Sequence, residues 1–548
     1  MNFPFNQDSI VRQMIVRIET NCRLLLWLSL GLLVVFAFAQ RYPMDDAFIS
    51  YRYAKYLALG QGLVWNAGER VEGYTNFLWT IFLAGGMKLG IAPERFSVIL
   101  SFPFYVAALW MTFRLTLLIS GSSFAALAGL LIVGFNRSVY AFSTSGLETT
   151  FQMCQFLAII LLIIKMKATG WSVRGTALLS AVLGISLLTR LDAAIPASIA
   201  AYTFYKSNNW KNKGLLIAAI VPVGVLVLPW LSWKMGYYGS ILPNSFHVKV
   251  RGFENVFYGI FYLHLFALAN LLHVHLGILI FYWKSLKNLS IGAIEAGTLV
   301  ALWMAYTAFV GGDFMEFRFL VPITPILIAL LIAIAWQFKS TVVTAALMVG
   351  LALGTIQSNF ALQRLLFGYG VESVGQLRAH LNGRSENWVL IGQKLKERFG
   401  GSDVMISVGA SGAIPYYSEL KTVDFLGLTD REIASDNEPF SAVPGHRVIC
   451  SLDYLARRGV NMIVEPNNHM MTQPQYSAWQ RSVSWREAYQ FYLDPDRRVK
   501  GETIDQIELF AMPVDEEHTL IIWYLKAHPL IDRVIAEQKW KVFTISRW

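Results

Sequence analysis

Long apolar runs separated by short polar stretches set the pattern of this chain. The runs have the length of membrane-spanning helices, about 20 residues. They lie at about 22–40, 75–90, 151–164, 175–189, 193–205, 214–235, 256–283, 290–310, 319–337 and 341–359, each closed by a polar or basic segment. Residues 98–141 form a longer apolar block that looks like two segments, although its flanks require an odd number of crossings. The runs predict about 11–13 spans in all. One connector stands apart. Residues 44–79, MDDAFISYRYAKYLALGQGLVWNAGERVEGYTNFLW, are too long, too mixed in charge and too aromatic for a plain linker. Within this stretch, 46–59 reads as a short helix lying along the membrane surface, ended by Gly60 and Gly62.

After about residue 360 the texture changes. Charged residues, Gly, Asn and Pro become frequent, and no later stretch is long enough to span. VMISVG (404–409), HRVICSL (446–452) and NMIVEP (461–466) read as short buried strands, and 386–399 as a helix. The chain thus divides into a membrane part, 1–359, and a soluble α/β domain, 360–548.

Charge gives the orientation. Arg12, Arg17 and Arg23 precede the first run, and Lys165, Lys167, Lys206, Lys211, Lys213, Lys284, Lys287 and Lys339 follow alternate runs. Basic residues mark cytoplasmic loops. The N-terminus is therefore expected inside, with the 44–79 stretch and the C-terminal domain outside. That arrangement suits a multi-pass protein of a bacterial inner membrane facing the periplasm or cell exterior. The first run has no cleavage pattern for a signal peptide.

Composition agrees. Of the 548 residues, 55% are hydrophobic and 15% charged, against about 25% charged in soluble domains. Net charge is +10, but the basic residues track the loops, so nucleic acid is not an expected partner. Cys22, Cys154 and Cys450 lie far apart and form neither a zinc spacing nor a disulfide framework. His247, His264, His273 and His275 make no metal-binding pattern, and the P-loop and nucleophile-elbow motifs are absent. No metal or cofactor is expected.

The polar chemistry clusters at one end of the runs. Asp45 and Asp46 are either a general base with its neighbour or caps for the helix that follows. GGDFMEFRF supplies Asp313, Glu316 and Arg318; the arginine suits a phosphate or a snorkelling position. Lys249 and Arg251 follow LPNSFHVK and also suit an anion. Arg190 and Asp192 in LTRLDA read as an ion pair or a substrate contact. Glu148 in SGLETT reads as a cap or a site acid. Arg52, Glu72, Tyr74, Asn76 and Asn244 complete the expected substrate-binding set, and Tyr74, Trp65 and Tyr237 are candidates to line a sugar path.

DDAFISYRYAKYLALGQGLVWNAGERVEGYTNFLW, SGLETT, LTRLDA, YYGSILPNSFHVK, GGDFMEFRFLVP and DFLGLTDREIA resemble, in that order, the motifs of GT-C-type membrane glycosyltransferases. They are most similar to the terminal β-(1→2) arabinofuranosyltransferases of cell-wall arabinan synthesis. Where relatives often carry Pro and Gly in LTRPDG, this chain has Leu191 and Ala193. The resemblance implies a polytopic α-helical GT-C-like fold with an outer catalytic loop. It also implies a polyprenyl-phosphate sugar donor, inversion at the anomeric carbon, and Asp45 or Asp46 as the base. Arg318, Lys249 and Arg251 would hold the donor phosphate. The acceptor would be a cell-envelope glycan or glycolipid, and the sugar arabinofuranose or another. The many Lys, Ile and Asn residues differ from a high-GC mycobacterial composition, which keeps lipopolysaccharide among the acceptors. The rival expectation is a lipid or glycan transporter without transferase chemistry.

Overall fold

The first apolar run folds as α1, Cys22–Ala39, and Met44 begins α2, Asp45–Ala58. The computed structural model describes residues 20–249, 254–281, 292–338, 341–360, 371–435, 448–464, 470–484 and 503–546. From α2 the chain runs through α3, Phe77–Lys88, α4, Pro93–Ser120, α5, Ser123–Phe135, α6, Arg137–Phe142, α7, Thr149–Thr169, and α8, Val173–Thr189. It continues as α9, Ala194–Lys206, α10, Lys213–Tyr238, α11, Asn244–Lys249, α12, Glu254–Ala269, and α13, Leu272–Phe281. The membrane part closes with α14, Ala293–Val310, α15, Thr324–Gln337, and α16, Thr341–Phe360. Five of these helices are long and apolar enough to cross a membrane, among them α4 at 28 residues and α10 at 26.

Two expected spans do not run as single crossing helices. Helix α3 has 12 residues, about 18 Å at 1.5 Å per residue, and its contacts, rather than its length, fix where it ends. Its far end stays near its start. Tyr51 on α2 lies 2.7 Å from Ser97 at the head of α4, and the Tyr417 hydroxyl of the C-terminal domain donates to Glu94 at 2.9 Å. Helices α2 and α3 therefore form a hairpin on one face of the bundle. Helix α4 leaves that face, α5 returns to it, and the block at 98–141 crosses an even number of times. Lys88 thus lies on the face of the 44–79 stretch, not opposite it.

The run at 256–283 is also divided. Helix α12 lies along the same face, where the Tyr262 hydroxyl donates to the Met315 carbonyl and Asn136 donates to Asn270, both at 3.1 Å. Leu271 then takes a left-handed conformation, φ +52°, and α13 heads away. His275 on α13 bonds the Leu347 carbonyl of α16 at 2.9 Å. Among the described residues, passages between the two faces are made by α1, α4, α5, α7, α8, α9, α10, α13, α14, α15 and α16. At the opposite face Lys167 pairs with Glu295 at 2.6 Å.

The C-terminal domain comprises α17, Val374–Asn382, α18, Trp388–Phe399, α19, Ala413–Ser418, α20, Arg431–Ser435, α21, Leu452–Arg458, α22, Gln473–Ser482, and α23, Pro529–Glu537, around one sheet. Its strands are β1, Met405–Val408, β2, Lys421–Asp424, β3, Met462–Ile463, β4, Met471–Thr472, β5, Gln506–Pro513, β6, His518–Tyr524, and β7, Val542–Ser546. They are ordered β2-β1-β3-β6-β5-β7, with β4 beside β6. β1 pairs parallel with β2 and β3, while β3–β6, β5–β6 and β5–β7 are antiparallel. HRVICSL is not a strand. Residues 446–447 lie outside the described residues, and Ser451 caps α21 at once by accepting from the Tyr454 N–H at 3.1 Å.

This domain is bonded to the α2 stretch. Arg52 donates from Nε to the Trp65 carbonyl at 2.9 Å and from Nη2 to the Leu420 carbonyl at 2.8 Å, and also reaches Asn66 and Pro415. Trp65 donates to the Thr422 carbonyl at 3.1 Å. Asp45 accepts from the Ala413 N–H at 2.7 Å. Gly412 has no room for a Cβ, which would strike the Asp45 backbone.

Candidate active site

At the end of the bundle facing the C-terminal domain is a cavity of about 310 Å³, at the small end of ligand pockets, about 300–1,000 Å³. Its walls come from α2 with residues 72–76, from Leu147–Glu148, from Arg190–Asp192, from Lys234 on α10, from 242–249, from Tyr306 and Val310 on α14, and from 312–319. Apolar surface from Leu147, Leu191, Tyr306, Val310 and Phe319 lies beside the charged groups.

Those charges are matched in sets. Glu148 accepts from Arg190 Nη1 and from Asn76 Nδ2, both at 2.7 Å, and Arg190 Nε donates to Asp192 at 2.9 Å. Gln152 donates to the other Asp192 oxygen at 2.7 Å. Burial alone would push the Glu148 carboxyl up; Arg190 and Asn76 hold it below its ordinary value. Glu72 pairs with Lys234 at 2.9 Å. Burial raises the Glu72 carboxyl to about 7 against the pull of that lysine. Arg318 donates from Nε to Asp313 at 2.6 Å and from Nη1 to Asp46 at 3.1 Å.

Two groups differ from the rest. The Asp46 side chain is 25% exposed, against 2% for Asp313, 6% for Asp192 and Glu72, and 7% for Glu148. Asp46 is thus the carboxylate of the cavity that an incoming molecule can touch. Lys249, half-buried in the wall, makes no ion pair among the described residues. Burial first, and then the neighbouring Arg318 guanidinium, hold its ammonium below the ordinary value. An anion placed there would relieve both effects.

The loop bearing Arg318 is braced from the domain. Gly311 and Gly312 have φ of +91° and +75°, and Phe317 has φ +48°. The Glu372 N–H bonds the Phe314 carbonyl at 2.6 Å, the Glu316 N–H bonds the Glu372 carbonyl at 2.9 Å, and the Glu316 carboxylate accepts from the Val374 N–H at 2.8 Å. His380 stands between Glu372 and Glu386. Burial would lower its ring, but the two carboxylates raise it to about 10.

The sequence-predicted residues are only partly brought together. Asp46, Glu72, Tyr74, Asn76, Glu148, Arg190, Asp192, Lys249, Asp313 and Arg318 line the cavity. Asp45 does not; its carboxylate turns to Ala413, and burial raises it to about 7. Arg52 is spent on carbonyls of the interface. Asn244 likewise donates to the Gly427, Leu428 and Asp430 carbonyls at 2.8, 3.1 and 3.1 Å. Arg251 lies outside the described residues. Lys234 and Tyr306 line the cavity without having been expected there; a lone lysine inside an apolar run was the available signal. Among the described residues, no group of three or more His, Cys, Asp and Glu could hold a metal ion.

A family model described as a domain of unknown function, DUF8728, matches residues 377–505, within the C-terminal domain. The chain is similar to a protein named terminal β-(1→2)-arabinofuranosyltransferase from Mycobacterium tuberculosis, 27% identical over 240 residues, or 41% of this chain and 38% of that one. It is also similar to the protein of the same name from Corynebacterium glutamicum, 28% identical over 334 residues, 52% of this chain and 47% of that one. The matches thus span less than half the length of these relatives. Among solved structures, ArnT from Cupriavidus metallidurans bound to undecaprenyl phosphate superposes with a TM-score of 0.55 at 12% identity, covering 93% of this chain and 99% of ArnT. The chain therefore has the GT-C-type helical membrane fold, with a C-terminal α/β domain joined to the site face of the bundle.

Proposed function

We propose that this protein is an inverting glycosyltransferase that moves a sugar from a polyprenyl-phosphate donor to a hydroxyl of a cell-envelope glycan on the outer side of the membrane. The observation that carries this reading is the pairing of one accessible carboxylate, Asp46, with cationic groups, Arg318 and Lys249, in one cavity at the end of a membrane bundle. In the proposed reaction the acceptor oxygen attacks the anomeric carbon from the face opposite the phosphate. The bond from that carbon to the phosphate oxygen breaks, and its electron pair leaves with the phosphate. Asp46 takes the acceptor's proton. Lys249 holds the departing phosphate first and Arg318 supports it, stabilising the charge that develops there. Water offers no nucleotide-sugar supply outside a cell, so a lipid-borne donor is the physically sensible one. The relatives' names make arabinofuranose the first sugar to test, and the undecaprenyl phosphate in the ArnT structure supports the lipid carrier.

The site's charges sit at one end of the bundle and not at mid-span, which argues against a transporter. Purified protein in liposomes, given a labelled polyprenyl-phosphate arabinose and an envelope glycan acceptor, should transfer label to the glycan. Passage of the intact donor across the bilayer with no transfer would replace this reading with the transporter.

A further inference from the structure

A second cavity, of about 540 Å³, adjoins the first and shares Glu72, Leu242 and Phe246 with it. Its own walls are the end of α10 at Tyr238–Ser240, His247 on α11, and Arg431, Ala434 and Ser435 on α20 of the C-terminal domain. It thus lies where the bundle ends and the domain begins. Its walls differ from those of the first cavity. The apolar surface of Leu147, Leu191, Tyr306 and Val310, which suits a prenyl chain, belongs to the first alone.

Among the described residues, the second cavity offers mainly hydrogen-bonding groups without free positive charge. The Arg431 guanidinium is taken up by the Arg70 carbonyl at 3.0 Å and by that of Tyr238. The Ser240 and Ser435 hydroxyls donate to backbone carbonyls at 2.8 and 2.7 Å, leaving their oxygens as acceptors. Glu72 is a buried carboxylate held in place by Lys234. Such a surface is poor for a phosphate and good for neutral hydroxyl groups. Phe246, in the shared wall, adds an apolar face for a sugar ring.

We propose that this second cavity binds the neutral, hydroxyl-rich glycan acceptor, and that Glu72, reaching both cavities, accepts hydrogen bonds from the sugar unit nearest the reaction. This rests on the transferase reading and adds to it the place and chemistry of the acceptor. The first cavity then holds the transferred sugar and its phosphate, and the acceptor approaches from the water side, between bundle and domain.

The test fills the second cavity from residues that line it alone. Ser435→Trp and Ser240→Trp should each raise the acceptor KM by about tenfold or more, a loss of about 1.4 kcal/mol or more. They should leave donor affinity and slow donor hydrolysis by water at the wild-type level, which also shows that the variants fold. Ser435→Gln, a smaller change, should fall between. Binding of short neutral arabinan, galactan and mannan fragments, measured by calorimetry without donor, should weaken in both Trp variants. Unchanged acceptor KM and unchanged fragment binding in both would overturn the proposal. Fragment binding lost in the Trp variants of a protein that transfers no sugar would keep the glycan site and remove the transferase reading instead.

Discussion

Asp45 and Asp46 are neighbours in sequence, yet their carboxylates serve different partners: Asp46 meets Arg318 at 3.1 Å, and Asp45 accepts from the Ala413 N–H at 2.7 Å. Successive residues of a helix point about 100° apart at 3.6 residues per turn. One of the pair therefore faces the cavity and the other the C-terminal domain. If Asp46 is the base, Asp46→Asn should lower transfer by about 10²- to 10⁴-fold. Donor binding should persist, because the arginine and lysine remain. Asp45→Asn should stay close to wild type, since an amide oxygen still accepts from Ala413. Comparable losses in the two variants would show that the roles are not divided in this way.

The same geometry gives Asp45 a signature in pH. Burial lifts its carboxyl to about 7, above the ordinary value of about 4. Between about pH 4 and 7 the folded chain therefore holds a proton that the unfolded chain has lost. Its stability contribution falls as pH rises through that window and is gone above it. Asp45→Asn removes the titration, so thermal melts at pH 5 and pH 8 should differ less in the variant than in wild type. Asp45→Ala, which loses the titrating group and leaves the Ala413 N–H unpaired, should cost about 1–3 kcal/mol at pH 8 and more at pH 5. A pH slope identical in wild type and Asp45→Asn would mean that this carboxyl does not titrate in the window.

Lys249 and Arg318 are predicted to differ in degree. Arg318 already satisfies Asp313 and Asp46, whereas Lys249 makes no ion pair among the described residues. Lys249→Ala should weaken donor binding by about 10- to 100-fold, the loss of one charge-assisted hydrogen bond. Arg318→Ala should affect turnover more than donor binding, because it also leaves Asp46 and Asp313 unpaired. Equilibrium binding of a polyprenyl phosphate, set beside kcat, separates the two effects; equal donor affinity in wild type and Lys249→Ala would move the phosphate site elsewhere.

Much of this architecture is legible in the sequence, and what is hidden has physical reasons. Helices such as α7 and α10 announce themselves because nothing but a bilayer or a deep core accepts so long an apolar run. Helix α3 misleads because FLWTIFLAGGMK is as apolar as a span, yet it buries Trp79, Leu83 and Ala84 within the protein. The site residues Asp46, Glu148, Arg190 and Arg318 were visible as charges at the ends of apolar runs, where desolvation requires a reason. Asp45, Arg52 and Asn244 carried the same signal for another reason. They bond the backbone of a domain hundreds of residues later, a partner that no local pattern discloses. HRVICSL resembled a strand by composition, but Ser451 is a better helix cap than a strand residue.

The Lys234–Glu72 pair should show its burial when one partner is removed. Both side chains are nearly enclosed, at 2% and 6% exposure. Lys234→Met leaves a carboxylate without its counter-charge and should cost about 3–5 kcal/mol. The double variant Lys234→Met with Glu72→Gln should recover most of that stability, although not acceptor binding, if Glu72 contacts the glycan. Detergent-solubilised melting curves of the two variants read the stability. A double variant as unstable as the single one would indicate that Lys234 is needed for packing and not for charge.

The even number of crossings at 98–141 makes a prediction about sidedness. Because α3 turns back on the face of α2, residues near Gly90 lie with the cavity and the C-terminal domain, beside Lys55 and Tyr416. A cysteine placed at Gly90, in a chain lacking Cys22, Cys154 and Cys450, should react with a membrane-impermeant maleimide from the same side as one placed in the exposed wall of the C-terminal domain at Glu397. A cysteine at Asn208, between α9 and α10, should react only from the opposite side. Gly90 is followed within a few residues by Arg95, and a count of basic residues alone would assign this turn to the cytoplasm. Here the hydrogen bonds from Tyr417 to Glu94 and between Tyr51 and Ser97 outweigh that count, since they tie the far end of α3 to α2 and to the C-terminal domain. Labelling of Gly90→Cys from the side of Asn208 would restore α3 as a span and separate α4 from the site face.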